Sequence, residues 1–224
     1  MVRRTKEEAL ETRNRILDTA EQLFLEKGVS RTSLEMIAAA AGLTRGAIYW
    51  HFRNKADLFD AMMARVVLPM EEMAARAAED DLADPISHVR DCALNVLDHL
   101  TTDPRCQRVF EICCHKVEYV DEMMQVRQRH IEARNGCLQH MERGLRNAGR
   151  KGLLAPSVDP RLAAVGLHAL VDGLIKNCVL ESHYLPLAKD ARVLIDQYLD
   201  RIRALPKRVP ARRGEARSIS LRAG

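Results

Sequence analysis

Three Asp-Pro pairs, Asp84-Pro85, Asp103-Pro104 and Asp159-Pro160, fix three helix starts and narrow the architectures open to this chain. An aspartate before a helix accepts hydrogen bonds from its first free amides, and proline at the first helical position lacks an amide that would go unpaired. They predict helices over 85–101, 104–118 and 160–182. The other punctuation is of the same kind. Ile16, Ala20, Leu23 and Phe24 form one apolar stripe on a helix over 8–27, stopped by Gly28. Thr32 and Glu35 read as a capping box for a second helix, which stops at Gly42. Thr44 starts a third, through His51, and Asn54 a fourth, towards residue 79. A long helix over 121–148 ends at Gly149. A last one, over 187–205, puts Leu194, Ile195, Tyr198, Leu199 and Ile202 on one face before Pro206. No stretch alternates as a strand does, and aromatic residues make up 4% of the chain, which disfavours sheet. The expected fold class is all-α.

Charge is uneven along these 224 residues. Residues 1–55 carry ten Lys and Arg against seven Asp and Glu, and residues 206–224 carry six against one. The stretch between them is mildly acidic. A basic N-terminal unit on an acidic body points to a polyanion partner at that end. The last nineteen residues are poor in bulky apolar groups and read as a basic disordered tail. The first residues hold no apolar segment of the secretory kind, and the longest apolar run, Leu162–Ile175, is short for a bilayer and contains His168 and Asp172. A soluble, cytoplasmic protein with no membrane partner is expected. The six cysteines form no CxxC pair, so free thiols are expected, with no metal and no cofactor.

Thr32–Lys55 concentrates the chemistry. Two short helices meet at Gly42, with the Ala38–Ala41 run allowing close packing and Ile37, Leu43, Ile48 and Phe52 available for a small core. The second helix then exposes Thr44, Arg45, Tyr49, Trp50 and His51, a surface of hydroxyl, guanidinium, aromatic and imidazole groups suited to a DNA major groove. Arg45 is the candidate for reading a base edge, Gly46 leaves room for a phosphate, and His51 and Lys55 are candidates for the sugar-phosphate backbone. Thr32 and Ser33 are candidate phosphate ligands from the preceding helix, and Arg3, Arg4 and Lys6 are candidates for a neighbouring groove or for phosphates. Trp50 and Phe52 are equally open to a place in the core, and His51 to a helix C-cap.

The run Gly42-Leu-Thr-Arg-Gly-Ala-Ile-Tyr-Trp-His-Phe52, with Lys55, resembles the signature of the TetR family of transcriptional repressors. Thr5-Lys-Glu-Glu-Ala, Thr12-Arg13, Glu111-Ile-x-x-His-Lys-x-Glu118 and Val171-Asp-Gly-Leu-Ile175 resemble its AcrR/TtgR-like subgroup of multidrug efflux-pump regulators. The resemblance is dense over the first 65 residues and thin to residue 205. It implies a three-helix DNA-binding domain over 1–54, and over 55–205 a larger helical domain for ligand binding and dimerisation. It also implies a homodimer through the helices near 160–182 and 187–205, on a palindromic operator in double-stranded DNA. A hydrophobic small-molecule inducer would release that dimer by favouring a state in which the helix over 55–79 has swung.

Carried over by position, the implied pocket comprises Val67, Met70, Val96, Phe110, Cys114, Cys137, Met141, Val171 and Ile175, with Asp172 orienting the ligand. Val67, Met70, Phe110 and Cys114 replace more polar groups of the subgroup, so an apolar pocket for bulky ligands is expected. His168 and Asp172, one turn apart, are also open to satisfying each other. The alternative function is a redox- or metal-sensing repressor on the same scaffold, using Cys106, Cys113, Cys114, His115, Cys137 and His140. Adjacent cysteines on one helix suit zinc poorly. An enzyme is not expected: no glycine-rich phosphate loop, HExxH or GxSxG occurs.

Overall fold

The computed structural model describes residues 6–77, 82–181 and 184–204. The basic tail and the arm residues Arg3 and Arg4 lie outside them. The described elements are α1 (Lys6–Lys27), α2 (Leu34–Ala40), α3 (Arg45–His51), α4 (Lys55–Ala77), α5 (Pro85–Thr102), α6 (Pro104–Glu111), a π-turn (Ile112–Lys116), a 3-10 turn (Asp121–Met123), α7 (Met124–Arg150), α8 (Pro160–Leu180) and α9 (Leu187–Ile202). The family of all-α folds is therefore the right one; no β-strand occurs among the described residues, which hold one isolated bridge, Leu154 to Arg203.

The Asp-Pro reading holds at each site. Asp84 accepts from the amides of Ile86 and Ser87, Asp103 from Arg105 and Asp159 from Leu162. Elsewhere local rules mislead. Ser33, not Thr32, caps α2, its hydroxyl oxygen accepting from the Met36 amide. Thr32 is buried, and its hydroxyl donates to the Gly28 carbonyl at 2.9 Å. The helix expected over 104–118 turns wide at Ile112, so that Ile112 stays in the core under α1 while His115 Nε2 comes within 3.3 Å of the Lys176 carbonyl on α8. α7 runs past Gly149 to Arg150, and the left-handed residue that follows is Gly152, at φ 71°. α4 continues through Pro69, where a proline removes one backbone hydrogen bond.

Two apolar clusters organise the chain. The first joins α1, α2, α3 and the N-terminal half of α4 and takes in Cys106, Val109 and Ile112 from the α6 region and Met123 and Val126 from the start of α7. It thus runs past residue 54, through Ala56, Leu58, Phe59, Met62 and Val66. The second joins α5, α7, α8 and α9. Arg90 on α5 forks onto Asp196 on α9 at 2.5 and 3.0 Å, pinning that pair of helices.

Charge is also buried among the elements of the first cluster. Glu21 on α1 is 1% exposed and faces Arg65 on α4 and Arg105 and Arg108 on α6 at 3.2–3.4 Å. Asp18, one turn away, pairs with Arg65 at 2.7 Å and Arg105 at 3.0 Å. Burial pushes the Glu21 carboxyl above its ordinary value, against the pull of the three guanidinium groups.

His130 on α7 is a different kind of buried group. Its Nδ1 lies 2.5 Å from Tyr119 Oη, and its Nε2 is buried with no hydrogen-bond partner among the described residues. A protonated ring would hold two N–H groups there, so burial pushes its pKa down from the ordinary 6.5. The neutral ring is therefore the one the fold favours. Its stabilisation is fully present above the unfolded value and is lost as pH falls through the depressed one. Urea denaturation of the wild type is expected to show stability falling between about pH 7 and pH 5, with a shallower slope in His130→Gln. Equal slopes would show that His130 is not the group responsible.

Candidate functional site

α2 and α3 form a hairpin whose turn residue, Gly42, sits at φ 65°. Ile37, Ile48 and Phe52 are buried and Leu43 half-buried beneath it. Phe52 is core, with Arg13 of α1 stacked 5.1 Å from its ring centroid. Trp50 is not: it is 72% exposed, its ring edge-on to His51 at 4.5 Å. An indole so placed is not a packing element of the hairpin core. Thr44 caps α3, accepting from the Ala47 amide at 3.2 Å. Arg45, Gly46 and Tyr49 are exposed beside it. A side chain at Gly46 would meet nothing of the fold nearer than Thr44 Oγ1 at 4.0 Å, so the space there is open to solvent.

The structure leaves Ser33, Thr44, Arg45, Gly46, Tyr49 and Trp50 exposed, with Arg45 and Tyr49 in contact and half-buried His51 against Trp50. Two of the candidates are placed otherwise. Thr32 turns inward, as above. Lys55, expected to face a phosphate, is 12% exposed and pairs with Glu122 on the 3-10 turn at 3.3 Å. Sequence reasoning also gave Glu35 the wrong partner. Its carboxylate turns towards α3, where Oε1 accepts from Tyr49 Oη at 3.0 Å and lies 3.3 Å from Arg45 Nε. Its own backbone amide, then Tyr49 and Ser33, hold this carboxyl below its ordinary value.

Behind this surface the hairpin is tied to the rest of the chain by backbone as well as charge. The Val29 amide, in the loop after α1, donates to the Lys116 carbonyl at the end of the π-turn at 2.9 Å.

The pocket candidates are divided. Val96, Phe110, Cys137, Met141, Val171 and Ile175 gather in the second cluster, with Phe110 touching the first as well. Met70 packs on the first cluster. Val67 lines a narrow cleft of about 40 Å³ between α4 and α7 with Asp60, Met63, Glu71, Arg129 and His130. Asp172 does not pair with His168; it accepts from Lys176 Nζ at 2.7 Å, one turn on. Burial lowers the pKa of His168, and the Asp172 charge opposes that shift. Cys114 senses the same carboxylate, which adds to the effect of burial in raising its thiol.

The thiols tell against the redox alternative. Burial pushes Cys106 up to about 12 and also raises Cys113, Cys114, Cys137 and Cys178, away from the thiolate that oxidants attack. Among the described residues no three His, Cys, Asp or Glu side chains gather so as to hold a metal ion.

α8 is long and apolar enough, by length and composition, to cross a membrane. Its inner side packs on α5, α6, α7 and α9, as in a core helix. Its outer side leaves Leu162, Val165 and Leu180 exposed, and α9 adds Val193 and Leu194. Leu194 therefore departs from the expected face of α9; Ile195, Leu199 and Ile202 are the buried ones.

A helical body carrying a two-helix hairpin with an outward basic and aromatic face defines a helix-turn-helix regulator. The chain belongs to the TetR family. The model of bacterial regulatory proteins of the tetR family matches residues 16–62, and that of the MAATS-type transcriptional repressor C-terminal region matches 84–204. The transcriptional regulator TtgR of Pseudomonas putida is 41% identical over 206 residues, 92% of this chain and 98% of its own. NalD, the secondary repressor of the MexAB-OprM multidrug efflux pump in Pseudomonas aeruginosa, superposes with a TM-score of 0.78 at 33% identity, over 88% of this chain and 98% of its own. SmeT, the repressor of a Stenotrophomonas maltophilia multidrug efflux pump, superposes in its triclosan complex at 0.80 and 34% identity, over 90% and 98%.

Proposed function

We propose that this regulator represses a multidrug efflux operon as a homodimer, each protomer laying α3 in the major groove of a palindromic operator, and that a bulky hydrophobic ligand in the helical body releases it. The observation that carries the reading is the outward face of α3, where Arg45, Tyr49 and Trp50 stand exposed on a hairpin whose core is otherwise closed. Residues 1–54 act as the DNA-binding unit, Ser33, Thr44 and His51 supporting α3, and residues 55–205 as the ligand-binding and dimerisation unit. The exposed apolar residues of α8 and α9 supply the contact between protomers, and two readers multiply the specificity one short helix lacks. The protein acts on DNA in the cytoplasm.

The ligand sits among Val96, Phe110, Cys137, Met141, Val171 and Ile175, with Cys114, His168 and Asp172 at the polar end. Support for such a ligand comes from SmeT, solved with triclosan, and for the regulon from SmeT and NalD, both repressors of multidrug efflux pumps. Release needs a ligand that binds the non-DNA state better, and the Glu21 clamp, the Val29–Lys116 bond and the Lys55–Glu122 pair are the contacts through which the body reaches the reader.

The test is operator binding with DNA upstream of an efflux operon, with and without saturating triclosan, alongside sedimentation of the free protein. A dimer whose operator affinity drops by about tenfold or more is expected, a coupling within the usual range. A monomer in solution, or affinity indifferent to triclosan and to a second bulky apolar compound of different shape, would overturn the reading.

A further inference from the structure

We propose that Glu35 is a positioning residue for sequence reading, holding Arg45 and Tyr49 in one shared arrangement on the DNA-facing surface. The inference rests on the reading of α3 given above, but Glu35 itself lies on α2. Arg45 and Tyr49 stand one helical turn apart, so a single carboxylate from the neighbouring helix can reach both. It does so with one oxygen: Oε1 accepts the Tyr49 hydroxyl at 3.0 Å and lies 3.3 Å from Arg45 Nε. The guanidinium also lies over the Tyr49 ring, its Cζ 5.5 Å from the ring centroid. The closest approach of Glu35 is to Nε rather than to the two terminal amino groups of Arg45, the pair that can fork onto a guanine edge.

An isolated exposed ion pair contributes little to stability, and Glu35 and Arg45 are both exposed. Their arrangement matters for another reason. An unrestrained arginine must be ordered when it binds, and restraint beforehand lowers that cost. A carboxylate on a surface meant for phosphates also weakens binding to every DNA sequence, because it opposes the non-specific electrostatic attraction. Its presence there is a net gain only if it improves discrimination. The two effects have opposite signs and can be separated.

The experiment measures affinity for the operator and for an unrelated duplex of equal length, at two salt concentrations, with thermal unfolding as a check on folding. Arg45→Ala serves as the control for α3 and is expected to weaken operator binding by about tenfold or more. Glu35→Ala is expected to lower the ratio of operator to unrelated-duplex affinity by about tenfold while affinity for the unrelated duplex is unchanged or tighter. Glu35→Gln keeps an acceptor oxygen and loses the charge, so it restores the ratio to within about threefold of wild type. Tyr49→Phe, which removes the hydroxyl, lowers the ratio in the same direction as Glu35→Ala by a smaller factor. Equal changes on both duplexes, or an unchanged ratio in Glu35→Ala while Arg45→Ala is impaired, would overturn the proposal and leave α3 as reader. An intact operator affinity in Arg45→Ala would instead remove the reading of α3, and this proposal with it.

Discussion

Glu21→Ala is expected to destabilise the fold by about 3 kcal/mol, the lower end for removing one partner of a buried ion pair. The carboxylate is all but inaccessible, so the three guanidinium groups around it, from α4 and α6, are held there by its charge. Without it Arg65 and Arg105 keep Asp18, whereas among the described residues no other acidic partner is seen at Arg108. Arg65, Arg105 and Arg108 are each partly exposed, which lets them recover some hydration and keeps the loss below that of a fully enclosed cluster. Glu21→Gln retains two acceptor lone pairs without the charge and is expected to lose less, about 1–2 kcal/mol. Arg65→Ala and Arg108→Ala act through the same carboxylate, so their effects are expected not to add. Urea denaturation at neutral pH measures all four. A loss under about 0.5 kcal/mol in Glu21→Ala, the level of an ordinary surface change, would show that the cluster does not hold α1 against α6.

What could be read from the sequence divides along the range of the interactions concerned. Helix starts at Asp84, Asp103 and Asp159 depend on groups within three residues and were legible. So was the hairpin, because Gly42 and the cap at Thr44 are local devices. The capping box failed because Thr32 and Ser33 offer the same hydroxyl; the choice is made at the end of α1, where the Gly28 carbonyl accepts a hydrogen bond from the Thr32 hydroxyl. The wide turn at Ile112–Lys116 left no local mark, since it answers to α1 and α8 together. The same applies to the site. The exposed residues of α3 follow from helical periodicity. Glu35 is within fourteen residues of Tyr49 but across a turn, and Lys55 finds Glu122 only once α4 and α7 are packed. A signal for Glu35 did exist: an acidic side chain between Ser33 and an arginine-bearing helix, on a surface otherwise suited to phosphates.

Gly166→Ala is expected to cost about 2–3 kcal/mol, a large penalty for one methyl group. Glycine within a helix ordinarily gains stability from this change, by lowering the freedom of the unfolded chain. On α8 the gain is outweighed, because a Cβ at Gly166 would lie 2.3 Å from Tyr198 Oη and 3.1 Å from its Cζ. The ring cannot bend away at its tip, and its hydroxyl donates to the Ala163 carbonyl at 2.8 Å, so moving it also breaks that bond. α9 must then shift as a body from α8. Tyr198→Phe alone loses only the hydrogen bond and is expected to cost about 1 kcal/mol. In the double variant the nearest clash is gone, so Gly166→Ala is expected to cost less in the Tyr198→Phe background than in the wild type, by at least about 0.5 kcal/mol. Additive losses would mean that the two helices relax without reference to Tyr198. The same cycle read on operator binding reports on assembly. If α8 and α9 carry the contact between protomers, Gly166→Ala weakens operator binding most at low protein concentration, and the added Tyr198→Phe recovers part of it. Arg45→Ala weakens binding at every concentration alike, which separates loss of the dimer from loss of the reader.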